Sequence, residues 1–236
     1  MKQLELVYQD EHLAVINKPS GLLVHRSRIA SGAREFAMQM LRNQLGRHVY
    51  PVHRLDRPTS GLLIFALSSD IARTLTEQLT AREVRKTYHA VVRGYVAESG
   101  TIDYALKEEL DKLADADADT DKEKQPAVTH YKCLKQVELP YKVSKKHDTT
   151  RYSLVQLQPE TGRKHQLRRH MAHIRHPIVG DTNHGDGRHN NFFRSHFDIN
   201  RLLLAATALS FKHPVSGEPV NLEIPLPDEF HRPFTE

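Results

Sequence analysis

An aspartate flanked by two arginines is the pattern in this chain most able to do chemistry. It lies in the segment HRLDRPTSG, residues 53–61, where Asp56 has Arg54 and Arg57 on either side. Nearby cations favour the charged form of a carboxylate, so Asp56 is expected to stay ionised and able to attack or assist at a reacting atom. The alternative is an Asx-type turn in which Asp56 caps the backbone near Thr59. Taken alone, the segment favours that turn.

A second candidate is the dense positive charge of the segment TGRKHQLRRH, residues 161–170. From 163 to 176 the chain has five Arg or Lys, four His and no acid, which is the density expected where phosphates are neutralised. Arg163 is expected at the turn from a strand into a helix. Three further cations are expected near it: Lys164, Arg168 and Arg169. The charge indicates an anionic partner, and the alternative is a solvated basic face.

The histidines of this stretch raise the question of a metal site. Zinc sites usually need tighter spacing on one helical face together with a cysteine or carboxylate ligand, and neither a nearby acid nor Cys133 is available. No metal is predicted, and the histidines are expected on a polar helix face. Walker, GxGxxG, GxSxG and HExxH motifs are missing from the sequence. A nucleophilic pair of Ser60 and His53 is not favoured, since sequence neighbours rarely adopt that geometry.

The apolar patterns predict the elements that must position these segments. Residues 4–8 and 13–17 read as a β-hairpin, and 61–67 as a buried strand that runs into a helix opened by Ser68. A further helix is predicted from Ser31 to Gly46, and another after 161–165. Four more strands are predicted within YHAVVRG, AVTHYKCLKQV, RYSLVQLQ and RLLLAATALSF. The class is α+β, with a mixed, largely antiparallel sheet and flanking helices.

Composition limits the remaining choices. The chain has 236 residues, 34 Lys plus Arg against 29 Asp plus Glu, and one cysteine, so no internal disulfide can form. Its start has no secretory apolar segment and its longest apolar stretch, 202–209, is too short to span a bilayer. A reducing, cytoplasmic location is expected. We predict one domain over 1–236, with an exposed loop at about 184–197 and an acidic excursion at about 108–125. From 108 to 124 the net charge is −5, so the remainder carries +10.

Six segments, in order and spacing, resemble the RluA-type pseudouridine synthases. They are NKPSGLLVH, HRLDRPTSG, KTYHAVVRG, TGRKHQLRRH, HPIVGD and RLLLAATALSFKHP. The match covers nearly the whole chain, and the co-occurrence of HRLD-x-x-TSG with TGR-x-HQLR is highly specific. Two departures are His184, where the family usually has Tyr, and Ala205, where a His often stands.

The resemblance implies a role for several candidate residues. Asp56 would be the catalytic carboxylate and Arg163 its partner, brought together by the fold around a central RNA-binding cleft. Arg54 would enter the base stack when the target uridine is extruded. Tyr88 would pack against the flipped base and Leu204 would line its pocket. The charge of the basic segment, and not the resemblance, makes Lys164, Arg168 and Arg169 further substrate-binding candidates. For Tyr88 the alternative is a strand aromatic buried in the core.

The resemblance also implies the reaction and the partner. A uridine, expected to be position 65 of tRNA, is converted to pseudouridine without a cofactor. Separately from the resemblance, we expect a monomer. One alternative is a sibling enzyme that acts on ribosomal RNA or on another tRNA uridine. The other is an RNA-binding module without chemistry, and the intact set of Asp56, Arg163 and Tyr88 argues against it.

Overall fold

The computed structural model describes residues 3–25, 35–108 and 123–235. The chain divides into two compact units, and each is built from stretches that are far apart in sequence. The first comprises 1–86, 107–124 and 206–224, and the second comprises 87–106, 125–205 and 225–236.

The described residues contain ten strands and four α-helices. The strands are β1 (Glu5–Gln9), β2 (Leu13–Lys18), β3 (Tyr50–Pro51), β4 (Ser60–Ala66), β5 (Arg85–Arg93), β6 (Ser99–Asp103), β7 (Val128–Leu139), β8 (Thr150–Pro159), β9 (Leu204–Lys212) and β10 (Pro219–Glu223). The helices are α1 (Ala37–Leu45), α2 (Ser69–Thr80), α3 (Gln166–His173) and α4 (Gly187–Phe197). The predicted α+β class is confirmed. Among the described residues, no helix is both long and apolar enough to cross a membrane.

The first unit opens with the predicted hairpin. β1 pairs antiparallel with β2, with Glu5 opposite Asn17, and β2 pairs antiparallel with β4, with Leu13 opposite Ala66. β4 is buried along its whole length. Burial on both faces explains why its sequence is continuously apolar and does not alternate.

Two helices cover this part of the first unit. α2 begins where predicted, because the Ser68 hydroxyl accepts a hydrogen bond from the Ile71 N–H at 3.3 Å and caps the helix. α1 ends at Gly46, whose φ of +65° is the left-handed conformation expected after a helix. Its first residue, Ala37, comes later than the predicted start at Ser31, which lies outside the described residues.

The second unit contains β5, β8, β7 and β6 in that order, each antiparallel to its neighbour. Tyr88 of β5 lies opposite Leu157 of β8, and Tyr131 of β7 lies opposite the same leucine from the other side. β5, β7, β8 and β9 confirm the four strands predicted downstream, whereas β3, β6 and β10 have no counterpart among the predicted elements.

The exposed loop expected at about 184–197 is largely a helix. α4 starts after Asp186, whose carboxylate accepts a hydrogen bond from the Arg188 N–H at 3.0 Å, and it buries Phe193 and Phe197. Gly, Asn and Asp residues make the segment look like a turn, and the burial of its aromatic face is a tertiary effect.

The acidic excursion expected at about 108–125 falls mainly on residues 109–122, which lie outside the described residues. At its two ends, Leu106 and Gln125 exchange a pair of backbone hydrogen bonds of 2.9 Å.

Candidate active site

The loop of residues 53–59, which carries the candidate carboxylate, is clamped by the turn that follows β2. The Lys18 side chain is fully buried. Its Nζ donates hydrogen bonds to the backbone carbonyls of Leu22 at 2.8 Å, Pro19 at 3.0 Å and Arg57 at 3.2 Å. A buried ammonium group needs several acceptors, and these carbonyls tie the turn to the 53–59 loop.

Further backbone bonds surround the aspartate. The Gly21 N–H donates to the Arg57 carbonyl at 2.8 Å, and the Arg57 Nε donates back to the Gly21 carbonyl at 3.0 Å. The Thr59 N–H donates to the Asp56 carbonyl at 3.0 Å, which closes a turn. This bond uses the backbone carbonyl of Asp56, whereas the Asx-type turn would use its side-chain carboxylate, so the Asx-type alternative stays a prediction.

Burial alternates along this loop. Leu55 is buried and anchors the backbone, whereas Arg54 is exposed and Asp56 is half-buried. The loop thus carries a cation and a carboxylate on either side of an apolar anchor, within the first unit.

His53 fixes the start of the loop. Its Nε2 accepts a hydrogen bond from the Ile64 N–H of β4 at 3.3 Å. Burial, helped by the charge of Lys86, lowers the pKa of His53 to about 3, so the ring is neutral at pH 7. Because this nitrogen already accepts a hydrogen bond from the β4 backbone, the geometry does not favour a nucleophilic pair of His53 and Ser60.

The glycine of the TSG motif has a steric role. Gly61 has a φ of +110°, and a Cβ at that position would collide with the backbone carbonyl of Ala206. Only glycine allows the strand to leave the 53–59 loop so close to β9.

In the second unit, the predicted cations lie in the turn before α3 and in the first half of that helix. The Arg163 side chain is exposed, and its Nε donates to the Pro126 carbonyl at 3.2 Å. Lys164 and Arg169 are half-buried. His165 has a φ of +54°, so the chain enters α3 through a left-handed residue.

Arg168 does not belong to this exposed set, and its buried position does not support the predicted contact with RNA. Its side chain is 4% exposed and pairs with Asp181, which is 1% exposed. The Nε lies 2.7 Å from Oδ2 and the Nη2 lies 2.8 Å from Oδ1, a bidentate pair. Burial raises the pKa of Asp181, but hydrogen bonds from Arg168 and from backbone N–H groups outweigh it and lower the pKa overall. The guanidinium is therefore a structural group.

Tyr88 and Leu204 both lie in the second unit and are buried, at 9% and 3% exposed. Tyr88 is on β5 and Leu204 is the first residue of β9. Their burial fits the alternative in which these side chains are part of the core. A role in contacting the target base stays a prediction.

Two histidines of the basic segment differ from the expected polar face. His170 is fully buried, and the His165 Nδ1 lies 3.1 Å from the Nε2 of His184, the residue that departs from the family pattern. In the described ranges, no three His, Cys, Asp or Glu side chains converge as a metal site would require.

Besides Arg168, sequence reasoning missed the burial of two other polar residues of α3, Gln166 and His170. A signal was present for His170, because it shares the spacing of Leu167, Met171 and Ile174 along the helix. A residue on the apolar stripe is expected to be buried whatever its polarity.

Comparison of the sequence with known protein families identifies the class to which this chain belongs. The family model for RNA pseudouridylate synthase matches residues 12–173, and the chain belongs to that family. The family resemblance in the sequence is thereby confirmed.

The names of individual relatives describe a more specific activity than the name of the family does. The chain is 55% identical over 233 residues to "tRNA pseudouridine synthase C" of Vibrio parahaemolyticus, which covers 99% of this chain and 94% of the relative. It is 59% identical over 220 residues to the protein of that name from Pectobacterium carotovorum, covering 93% of this chain but spanning only 58% of that relative's length. The solved structure of human RNA pseudouridylate synthase domain containing 1 superposes with a TM-score of 0.71 at 26% identity, covering 94% of this chain and 83% of the human chain.

Proposed function

We propose that this chain isomerises a uridine of tRNA, at position 65, to pseudouridine. The relatives named tRNA pseudouridine synthase C support the tRNA substrate, and the resemblance in sequence supports the position. The observation that carries the proposal is the clamped 53–59 loop, which holds Asp56 within the most specific motif of the family.

The reaction is an isomerisation within one nucleotide. The N1–C1′ bond breaks and a C5–C1′ bond forms, while C5 loses a proton and N1 gains one. Atoms and electrons balance, so the proposal requires no cofactor. The protein must supply a carboxylate that acts at the sugar or the base, and a cation that keeps it ionised.

Asp56 is the proposed carboxylate and Arg163 the proposed cation. The resemblance in sequence supports the pairing of the two. The fixed backbone around Asp56 supports its role, because a catalytic group must hold its position while the substrate rearranges.

The target base of a tRNA stem must leave the stack before it can react, which costs a few kcal/mol. Arg54, exposed on the 53–59 loop, is proposed to fill the vacated space. Tyr88 is proposed to pack against the flipped base and Leu204 to line its pocket. Lys164 and Arg169 are proposed to bind RNA phosphates, and Arg168 is left out of this set because it is buried with Asp181.

The proposed catalytic domain is the whole chain, 1–236, because the family match over 12–173 includes segments of both units. The RNA-binding cleft expected from the sequence stays a prediction. We further propose a monomer in the cytoplasm, where a lone cysteine, Cys133, remains reduced.

The direct test is to incubate the protein with unmodified total tRNA and, separately, with ribosomal RNA, and to map pseudouridine in both. We expect a single new pseudouridine, at position 65 of tRNA. A signal only in ribosomal RNA would assign the chain to a sibling activity, and no signal in either RNA would contradict the enzyme proposal.

Asp56→Asn is the matched variant, because it keeps the size of the side chain and removes its charge. We expect pseudouridine formation to fall by about 10³-fold or more, with tRNA affinity nearly unchanged. Turnover within tenfold of wild type would remove Asp56 from the catalytic role.

A further inference from the structure

A continuous chain of hydrogen bonds between buried side chains runs beneath the turn that carries Arg163. Its members come from β7, from the turn after β8 and from α3, all within the second unit. They are Thr129 (0% exposed), Thr161 (9%), Gln166 (4%) and His170 (0%). Buried polar side chains are retained only where their hydrogen bonds are satisfied, so the pattern of donors and acceptors is informative.

Gln166 is the centre of this network. Its Oε1 accepts the Arg163 backbone N–H at 3.0 Å and the Thr161 hydroxyl at 2.7 Å. Its Nε2 donates to the Val128 carbonyl and to the Thr129 hydroxyl oxygen, both at 3.0 Å. The amide therefore uses two donors and two acceptor positions, and one of the bonds fixes the peptide of Arg163 itself.

His170 determines the direction of the remaining bonds. Its Nε2 lies 3.0 Å from the Tyr104 carbonyl, which can only accept, so this nitrogen carries the proton. Its Nδ1, 3.0 Å from the Thr129 hydroxyl, then accepts the hydroxyl proton. The Thr129 oxygen is left to accept from Gln166. One arrangement of protons satisfies the whole network, and it requires a neutral His170.

The surroundings of His170 support the neutral ring. Burial is the main cause that lowers its pKa, and electrostatic interactions with His173 and Arg169 act in the same direction. The hydrogen bond to the Tyr104 carbonyl and the charge of Asp103 oppose them. The pKa of His170 lies below its ordinary value as a result.

We propose that Gln166, Thr129 and His170 are positioning residues that fix the backbone of Arg163 and thereby aim its guanidinium. The inference rests on the proposed function, since the aim of Arg163 matters only if it serves Asp56. A group fixed in this way is ready for the reaction before substrate arrives, and a displacement of about 1 Å can lower a rate by up to about 10²-fold.

Thr129 offers a matched pair of variants. Thr129→Val keeps the shape of the side chain and removes the hydroxyl, whereas Thr129→Ser keeps the hydroxyl. We expect Thr129→Val to lower kcat by about tenfold to 100-fold with KM within about twofold of wild type, because binding of RNA does not depend on this network. Thr129→Ser should keep a kcat close to wild type. Gln166→Met, which removes all four bonds, should behave like Thr129→Val.

Three results would overturn the inference. They are a kcat within twofold of wild type in Thr129→Val or Gln166→Met, an equal loss in Thr129→Ser and Thr129→Val, and a rise in KM at unchanged kcat. Wild-type activity is measured first. If wild type modifies no RNA, the proposed function fails and this inference fails with it. If wild type is active and the variants have the same kcat as wild type, only this inference is overturned.

A measurement on the wild-type protein covers the case in which the variants do not fold. Hydrogen exchange at the Arg163 amide should be slow, because that N–H is bonded to a buried side chain. Exchange as fast as that of an exposed turn would show that the bond does not hold Arg163, and would overturn the inference.

Discussion

Arg168 and Arg169 are adjacent arginines for which the structure assigns opposite roles, and the same substitution in each can test that assignment. Arg168→Met removes the charge and keeps much of the aliphatic stem. It leaves the Asp181 carboxylate, 1% exposed, without the guanidinium that contacts both of its oxygens. Arg169→Met makes the same chemical change at a half-buried position.

The expected loss of stability follows from the burial of the Arg168–Asp181 pair. Removing one partner of a buried, hydrogen-bonded ion pair costs about 3–5 kcal/mol, because the other charge is left uncompensated. A natural domain has a total stability of about 5–15 kcal/mol. Arg168→Met should therefore lose a large part of its free energy of unfolding. Arg169→Met should lose about 1 kcal/mol or less.

The assay is urea unfolding followed by circular dichroism, together with tRNA affinity under conditions where each variant is folded. Folded Arg168→Met should bind tRNA as wild type does, whereas Arg169→Met should bind more weakly. The double variant Arg168→Met/Asp181→Asn should recover part of the lost stability, because no uncompensated charge remains.

The reasoning would be refuted if Arg168→Met unfolded within 1 kcal/mol of wild type, or if the double variant were no more stable than Arg168→Met. A loss of tRNA affinity in folded Arg168→Met as large as that in Arg169→Met would return Arg168 to the RNA-binding set.

Three further predictions concern the RNA contacts and acid stability. Arg54→Ala should be slow on a stem-embedded uridine and less impaired on an RNA in which that base pair is opened, and equal losses in turnover on both RNAs would count against a role in base extrusion. The affinity of wild type for tRNA should fall steeply as the salt concentration rises, and the double variant Lys164→Ala/Arg169→Ala should flatten the slope of log affinity against log salt. An unchanged slope would show that these two side chains do not contact RNA phosphates. Burial raises the pKa of Asp10, but hydrogen bonds from Tyr8 and from backbone N–H groups outweigh it and lower the pKa from 3.8 to about 2. A lowered folded-state pKa gives stability that is present above about pH 4 and lost as the pH falls towards 2, so Asp10→Asn should unfold more easily than wild type at pH 6 and as easily at pH 2.

Local patterns were sufficient for most of the elements. The β1–β2 hairpin, α2 with its Ser68 cap and the end of α1 at Gly46 were predicted because alternation, capping and left-handed glycine act within a few residues. β3, β6, β10 and α4 were not predicted. The pairing of β6 with β7 and the burial of the α4 aromatics depend on distant segments.

The sequence by itself determined which family this protein belongs to and which residues are candidates for chemistry. The motif around Asp56 and the segment that begins at Arg163 are visible in the order of residues alone. Side-chain type and spacing are enough for this, because the chemistry requires a carboxylate and cations in a particular order.

Only the tertiary structure decided what each polar residue of the basic segment does. Adjacent arginines look alike in sequence, yet Arg168 meets a buried Asp181 whereas Arg169 is half-buried. His170 and Gln166 lie in the interior because β7 supplies the hydrogen-bonding partners that make their burial tolerable. The physical reason is that burial and ion pairing depend on which distant groups the fold brings within about 3 Å, and that distance is a property of the packed chain.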